Sequence, residues 1–145
     1  MSNCAIILAG GEGKRMKSNL PKPMSEVLGK PMLRWVIDSV KSAGVDDICV
    51  VKGYKKECID EFVNSLPFEV ETVYQAERLG TGHAVMMAKN FLKKHSGNVV
   101  ILNGDAPFMD AKTISDALAL HTEKGSVATV ISAKVSNPTG YGRIV

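Results

Sequence analysis

The sequence predicts an α/β fold, a mostly parallel sheet with helices on both faces. Two observations carry that reading. Short apolar runs alternate along the chain with stretches of helical periodicity, the order that builds β–α–β units. Two of those runs, Cys4-Ala5-Ile6-Ile7-Leu8 and Val99-Val100-Ile101-Leu102, are continuously apolar, as strands covered on both faces are and half-solvated strands are not. A length of 145 residues suits a single domain.

The elements follow in order. The first strand, ending at Leu8, runs into the glycine-rich stretch Gly10-Gly11-Glu12-Gly13. Met32, Leu33, Val36, Ile37 and Val40 then form a helical stripe that stops near Gly44, a glycine placed where helices end. Ile48-Cys49-Val50-Val51 reads as the second strand. Ile59, Phe62, Val63 and Leu66 make the next helical face, closed by Pro67. Glu69 to Tyr74 alternates as a strand that delivers Gln75. Ala84, Val85, Ala88, Phe91 and Leu92 give a helix starting near Thr81, with Met86 and Met87 as filler. Val99–Leu102 is expected to be fully buried, with Asp105 just past its carboxyl end, where open α/β sheets bind ligands. Ile114, Ala117, Leu118 and His121 mark a further helix to Gly125. Val127–Val135 is expected to be a strand, and Tyr141–Val145 the start of another.

Composition excludes several classes. Lys and Arg exceed Asp and Glu by 18 to 15, a net charge of +3, and aromatic residues make up 6%, too little charge and too few stacking platforms for a nucleic-acid surface. Cys4, Cys49 and Cys58 show no Cys-x-x-Cys spacing and read as reduced thiols of a cytoplasmic protein rather than a zinc site. No signal peptide is indicated, and no run approaches the ~20 apolar residues of a membrane span.

The densest chemistry lies in Leu8-Ala9-Gly10-Gly11-Glu12-Gly13-Lys14-Arg15-Met16 and in Pro21-Lys22-Pro23. Glycines let bare N–H groups approach a ligand closely. Arg15 adds a planar fork for phosphate oxygens, and Lys22 a point charge whose backbone is fixed by prolines on both sides. Taken alone, the loop is also consistent with a tight strand-to-helix turn carrying solvated cations. A P-loop is excluded because Gly13-Lys14 is followed by Arg15 and not by a hydroxyl, and the dinucleotide fingerprint lacks its third glycine.

The loop does resemble the signature of the sugar nucleotidyltransferases, Leu-x-x-Gly-x-Gly-x-Arg-Met followed by Pro-Lys. Lys14 stands where that family commonly has Thr. Three further stretches are similar to the bacterial bifunctional N-acetylglucosamine-1-phosphate uridyltransferases/glucosamine-1-phosphate acetyltransferases: Gln75-Ala76-Glu77-Arg78-Leu79-Gly80-Thr81-Gly82-His83-Ala84, Leu102-Asn103-Gly104-Asp105-Ala106-Pro107, and Asn137-Pro138-Thr139-Gly140-Tyr141-Gly142-Arg143-Ile144. The four motifs keep the family's order over nearly the whole chain.

That resemblance implies a Rossmann-like nucleotide-diphospho-sugar transferase fold, C-terminally incomplete here. Residues 1–145 would be the N-terminal portion of the pyrophosphorylase domain, without the sugar-side asparagine metal ligand or the β-helix acetyltransferase domain through which full-length relatives associate. The implied reaction is uridylyl transfer from UTP to N-acetylglucosamine 1-phosphate with release of pyrophosphate. It implies Mg²⁺ held by Asp105, with Arg15, Lys22 and Asp105 as the catalytic set. Leu8, Ala9, Gly10, Gly11, Gly13, Lys22, Gln75, Gly80, Thr81, Asn103 and Gly104 would bind the nucleotide, and Gly140 the sugar. Taken by themselves, Gln75 is a strand-end amide, Thr81 a helix N-cap and Asp105 a turn aspartate. His83 reads as a helix-start residue, and His95 as exposed. A uridylyltransferase for another hexose 1-phosphate, or a nucleotide-binding piece without turnover, remains open.

Overall fold

A computed structural model of the chain describes residues 2–13, 19–142 and 144. Strand β1 (Cys4–Ala9) lies at the centre of a sheet whose order is β5 (Glu71–Tyr74), β4 (Asp47–Lys52), β1, β6 (Val99–Asn103), with every pairing parallel. A short antiparallel ribbon, β2 (Glu26–Val27) and β3 (Lys30–Pro31), precedes the first long helix. The helices are α1 (Met32–Ser42), α2 (Lys56–Asn64), α3 (Thr81–Met87), α4 (Lys89–Leu92) and α5 (Ala111–Lys124).

The period of two along each strand divides the core between two faces. Ala5, Ile7 and Ala9 of β1, with Ile48 and Val50 of β4, pack against Leu33, Val36, Ile37 and Val40 of α1, Ile59 and Val63 of α2, and Ile114 of α5. Cys4, Ile6, Cys49 and Val51 point the other way, onto Ala84, Ala88 and Phe91. Helix α1 buries its whole expected stripe, whereas α2 buries only Ile59 and Val63 and α5 only Ile114, with Phe62, Leu66 and Leu118 partly buried against the same core. Helix α5 begins on Asp110, whose carboxylate accepts from the Thr113 amide at 2.7 Å, and ends on Gly125 at φ 56°, an N-cap and a left-handed C-cap.

Burial holds the core thiols protonated. It pushes Cys49 up to about 12, with the Glu71 carboxylate adding to the effect, and raises Cys4 in the same way. The expected helix after Thr81 forms in two pieces. Ala88, at ψ 12°, ends α3 and begins α4.

Four expectations about the chain's second half are corrected. Val99 and Ile101 are 40% and 50% exposed, not buried, because β6 is an edge strand and α3 packs over β1 and β4 instead. Val127–Val135 forms no strand, and Val127, Val130 and Val135 are exposed. A strand requires a neighbour for its amides and carbonyls, and no described strand lies beside this segment. Tyr141 likewise starts no strand, and Arg143 and Val145 fall outside the described residues. His95 is not exposed. Its ring stacks on Phe91 with centroids 4.4 Å apart, and its Nδ1 lies 2.9 Å from the Phe91 carbonyl oxygen.

The chain moves outward from β1 through β4 to β5, then returns to β6 on the other side of β1. The direction of winding thus reverses at β1. Open α/β sheets hold their ligand crevice outside the carboxyl ends of the strands at such a reversal.

Candidate functional site

The crevice is built from backbone first. Gly10, one residue past β1, lies against Gly53, one residue past β4. A Cβ on Gly53 would stand 2.8 Å from the Gly10 oxygen and 2.9 Å from its Cα. The two loops therefore touch main chain to main chain, a contact only glycine permits. Gly53 was not singled out in the sequence, although the register places Ala9 beside Lys52 and so brings the two following glycines level. Gly13 has φ 63°, and a Cβ there would lie 2.7 Å from the Lys22 Cβ. This glycine lets the glycine loop rest on the stem of Lys22. Arg15, with Lys14, lies outside the described residues.

Lys22 opens a one-turn 3-10 helix, Lys22–Met24, between Pro21 and the buried Pro23. The Met24 amide donates to the Pro21 carbonyl at 2.8 Å, so the proline-fixed backbone aims the side chain. The ammonium donates to Asp105 Oδ2 at 2.5 Å, with both side chains about a third exposed. Asp105 is carried by the turn after β6. The Gly104 amide donates to the Leu8 carbonyl at 2.9 Å, and a Cβ on Gly104 would come within 3.1 Å of the same oxygen. That contact ties the aspartate turn to the end of β1.

Gln75 closes the opposite end. Its amide N–H donates to the Lys52 carbonyl at 2.9 Å, and its side chain is 5% exposed. The side-chain Nε2 donates to the Gly80 carbonyl at 3.1 Å and lies 3.0 Å from His83 Nδ1. Gly80, at φ 101°, is the residue before α3, so Thr81 is the first helical residue and not the cap. Arg78 Nη1 pairs with Glu12 Oε2 at 2.9 Å and bridges the loops after β1 and β5.

Together these groups line a cleft of about 280 Å³. Of the residues expected to bind nucleotide or catalyse, Leu8, Gly10, Gly11, Lys22, Gln75, Gly80, Thr81, Asn103 and Asp105 line it. Gly13 and Gly104 support it from behind. Ala9 is fully buried in β1 and faces the core. Gly140 is exposed, at φ 83°, and is not part of the cleft wall. Pro23, Arg78 and Ala84 also line it, although none of them was expected as a binding residue.

The donor set is one carboxylate, Asp105, beside the Asn103 amide. Among the described residues no group of three His, Cys, Asp or Glu could hold a metal by itself. A single carboxylate completed by a ligand's phosphates is a donor set that suits a hard divalent cation. Both described cations at the cleft, Lys22 and Arg78, already sit on carboxylates. A bound polyanion would exchange partners with those acids. No helix among the described residues is long and apolar enough to cross a membrane.

Known proteins point the same way. The sequence is 48% identical over 141 residues to bifunctional protein GlmU of Acetivibrio thermocellus, covering 97% of this chain and 30% of that protein. The chain thus spans less than a third of that relative's length. The fold superposes on UDP-glucose pyrophosphorylase from Acinetobacter baumanii with a TM-score of 0.71 over 87% of this chain and 54% of that one, at 20% identity. It superposes on CTP:phosphocholine cytidylyltransferase from Streptococcus pneumoniae with a TM-score of 0.61 over 72% of this chain and 46% of that one, at 27% identity. Residues 4–145 match the family described as nucleotidyl transferase. With a parallel sheet, a glycine loop after its central strand and a lysine–aspartate pair at the switch point, the chain belongs to the nucleotidyl transferase family.

Proposed function

We propose that this chain carries the uridylyl-transfer chemistry in which N-acetylglucosamine 1-phosphate attacks the α-phosphorus of UTP, giving UDP-N-acetylglucosamine and pyrophosphate. The observation that carries the proposal is one cleft holding a phosphate-handling pair, Lys22 and Asp105, at one end and a buried amide, Gln75, at the other. The 48% identity to a GlmU protein supports this acceptor over other sugar phosphates. Such a role fits a cytoplasmic enzyme supplying a cell-wall precursor.

The reaction needs little acid–base help. A phosphate monoester with a second pKa of about 6 is already mostly ionised near neutrality. The protein must bring two anions together in line and offset their repulsion. Lys22 would leave Asp105 for the triphosphate and stabilise charge moving onto departing pyrophosphate. Arg15 is assigned the same work from the loop. Mg²⁺, held by Asp105 and the phosphates, would supply further charge neutralisation. The glycine loop offers main-chain N–H groups to the phosphates and ribose, Thr81 adds a hydroxyl at the base end, and Asn103 completes the wall near the metal ligand. Gly140, which lies outside the cleft wall, is assigned to the sugar on the family resemblance alone.

A second reading, nucleotide binding without turnover, is favoured by one observation. No residue of the 126–142 segment lines the cleft, so the described walls contain no sugar-side contact. Pyrophosphate release with UTP, N-acetylglucosamine 1-phosphate and Mg²⁺ decides between the two. Release that requires both substrates supports transfer. Tight UTP binding with no release supports the binding reading. In an active chain, Lys22→Ala and Asp105→Ala should each lower turnover about 10²- to 10³-fold. Their melting temperatures should change little, because a part-exposed ion pair contributes only about 0–1 kcal/mol. Near-normal turnover in either variant overturns the assigned roles.

A further inference from the structure

Gln75 is the only buried polar side chain among the described residues. The nitrogen faces the Gly80 carbonyl at 3.1 Å. Flipping the amide would set Oε1 against that oxygen, two acceptors in contact, so the carbonyl assigns the nitrogen to this side. One amide hydrogen is spent on Gly80, whose carbonyl also accepts from the Ala84 amide at 3.1 Å. The other points to His83 Nδ1 at 3.0 Å. An amide nitrogen can only donate, so Nδ1 accepts and the imidazole proton sits on Nε2. Both hydrogens of Gln75 are therefore used inside the protein.

What remains for a ligand is Oε1. It lies beside Gly10, 3.2 Å from where a Cβ on that residue would stand, and both residues line the cleft. The sequence alone allows Gln75 to offer a donor and an acceptor together. The structure leaves it an acceptor only. Uracil carries an N–H on its pairing edge where cytosine carries a lone pair. An outward oxygen meets the first as a hydrogen bond and the second as a repulsion.

We propose that His83 is a specificity-determining residue of the nucleotide site: by accepting from Gln75 it locks the amide oxygen toward the cleft, so that the site selects a uracil base over a cytosine base. This rests on the nucleotide reading above. It also addresses a difference the fold does not explain, since a similar fold belongs to an enzyme named for CTP. His83 acts through Gln75 and is a positioning residue.

Calorimetric affinities for UTP and CTP, measured on the whole chain and on His83→Leu and His83→Asn, test it. The wild type should favour UTP. In His83→Leu one of the two acceptors that hold the amide is lost and only the Gly80 carbonyl opposes its turning, so the UTP/CTP ratio should fall about tenfold or more. In His83→Asn, a side-chain oxygen can take the place of Nδ1, and the ratio should stay within about threefold of wild type. An unchanged ratio in His83→Leu overturns the proposal. Nitrogen-15 spectra of the free wild type give a separate readout, independent of any variant's folding. A proton on Nε2 supports the lock, and a proton on Nδ1 overturns it. Wild-type protein that binds neither nucleotide overturns the nucleotide reading and this inference with it, whereas UTP preference without a His83 effect overturns the inference alone.

Discussion

Ile6 and Ile101 are the same residue type, on adjacent strands, facing the same side of the sheet, and they are register partners. Ile6 is fully buried and Ile101 is half exposed. Strand propensity and local sequence do not separate them; what lies above each does. Ile6 sits beneath the packing of α3 and α4, with Phe91, Ala84 and Ala88 in its cluster. Ile101 is one strand further out, on the sheet's edge, beyond the cover of those short helices. An apolar run thus specifies a strand, while the neighbouring layer decides how much each side chain contributes.

The comparison can be sharpened from its strong end. Ile6→Ala should destabilise the chain by about 2–5 kcal/mol, the usual cost of emptying a tightly packed position, read as a lower urea midpoint at unchanged slope. Gly97→Ala tests the opposite case, an edge position where burial is not the criterion. A Cβ there would stand 2.3 Å from the Ser2 oxygen and 2.9 Å from the Asn3 nitrogen, and the shift required should cost about 1–3 kcal/mol. Loss of stability at this position, just before β6, would show that backbone approach can make an edge as sensitive as the core. The smallest effect is expected at Ile101→Ala. With half its surface already in water, it should cost under about 1 kcal/mol in the same titration. Equal costs at Ile6 and Ile101 would show that the second face of β6 is covered in solution and would break the comparison.

The same contrast separates the parts of the site that were legible in sequence from those that were not. Gly10, Gly13, Lys22 and Asp105 stood out because each breaks a local pattern. Glycines follow a buried strand, a lysine is caged by prolines, and an aspartate ends an apolar run. Gly53, Arg78 and His83 break no such pattern. Gly53 matters only because strand register sets it against Gly10. Arg78 reaches the cleft by pairing with Glu12, 66 residues away in sequence. His83 was read as a helix-start residue, and nothing local reveals that its Nδ1 meets a strand-end amide. The opposite error occurred at Val127–Val135, where β-branched residues suggested a strand that no described neighbour completes.

From the sequence alone came the alternation of strands and helices, the side each helix turns to the core, and the residue types a phosphate site requires. These are local quantities, set by periodicity and by the φ and charge that single residues allow. Tertiary structure alone decided which strands were covered, which glycines touch, and which way the Gln75 amide faces. Those depend on contacts between residues distant in the chain, brought together by the parallel register around β1. No local spacing encodes such a meeting, because the groups share a site only once the sheet has formed.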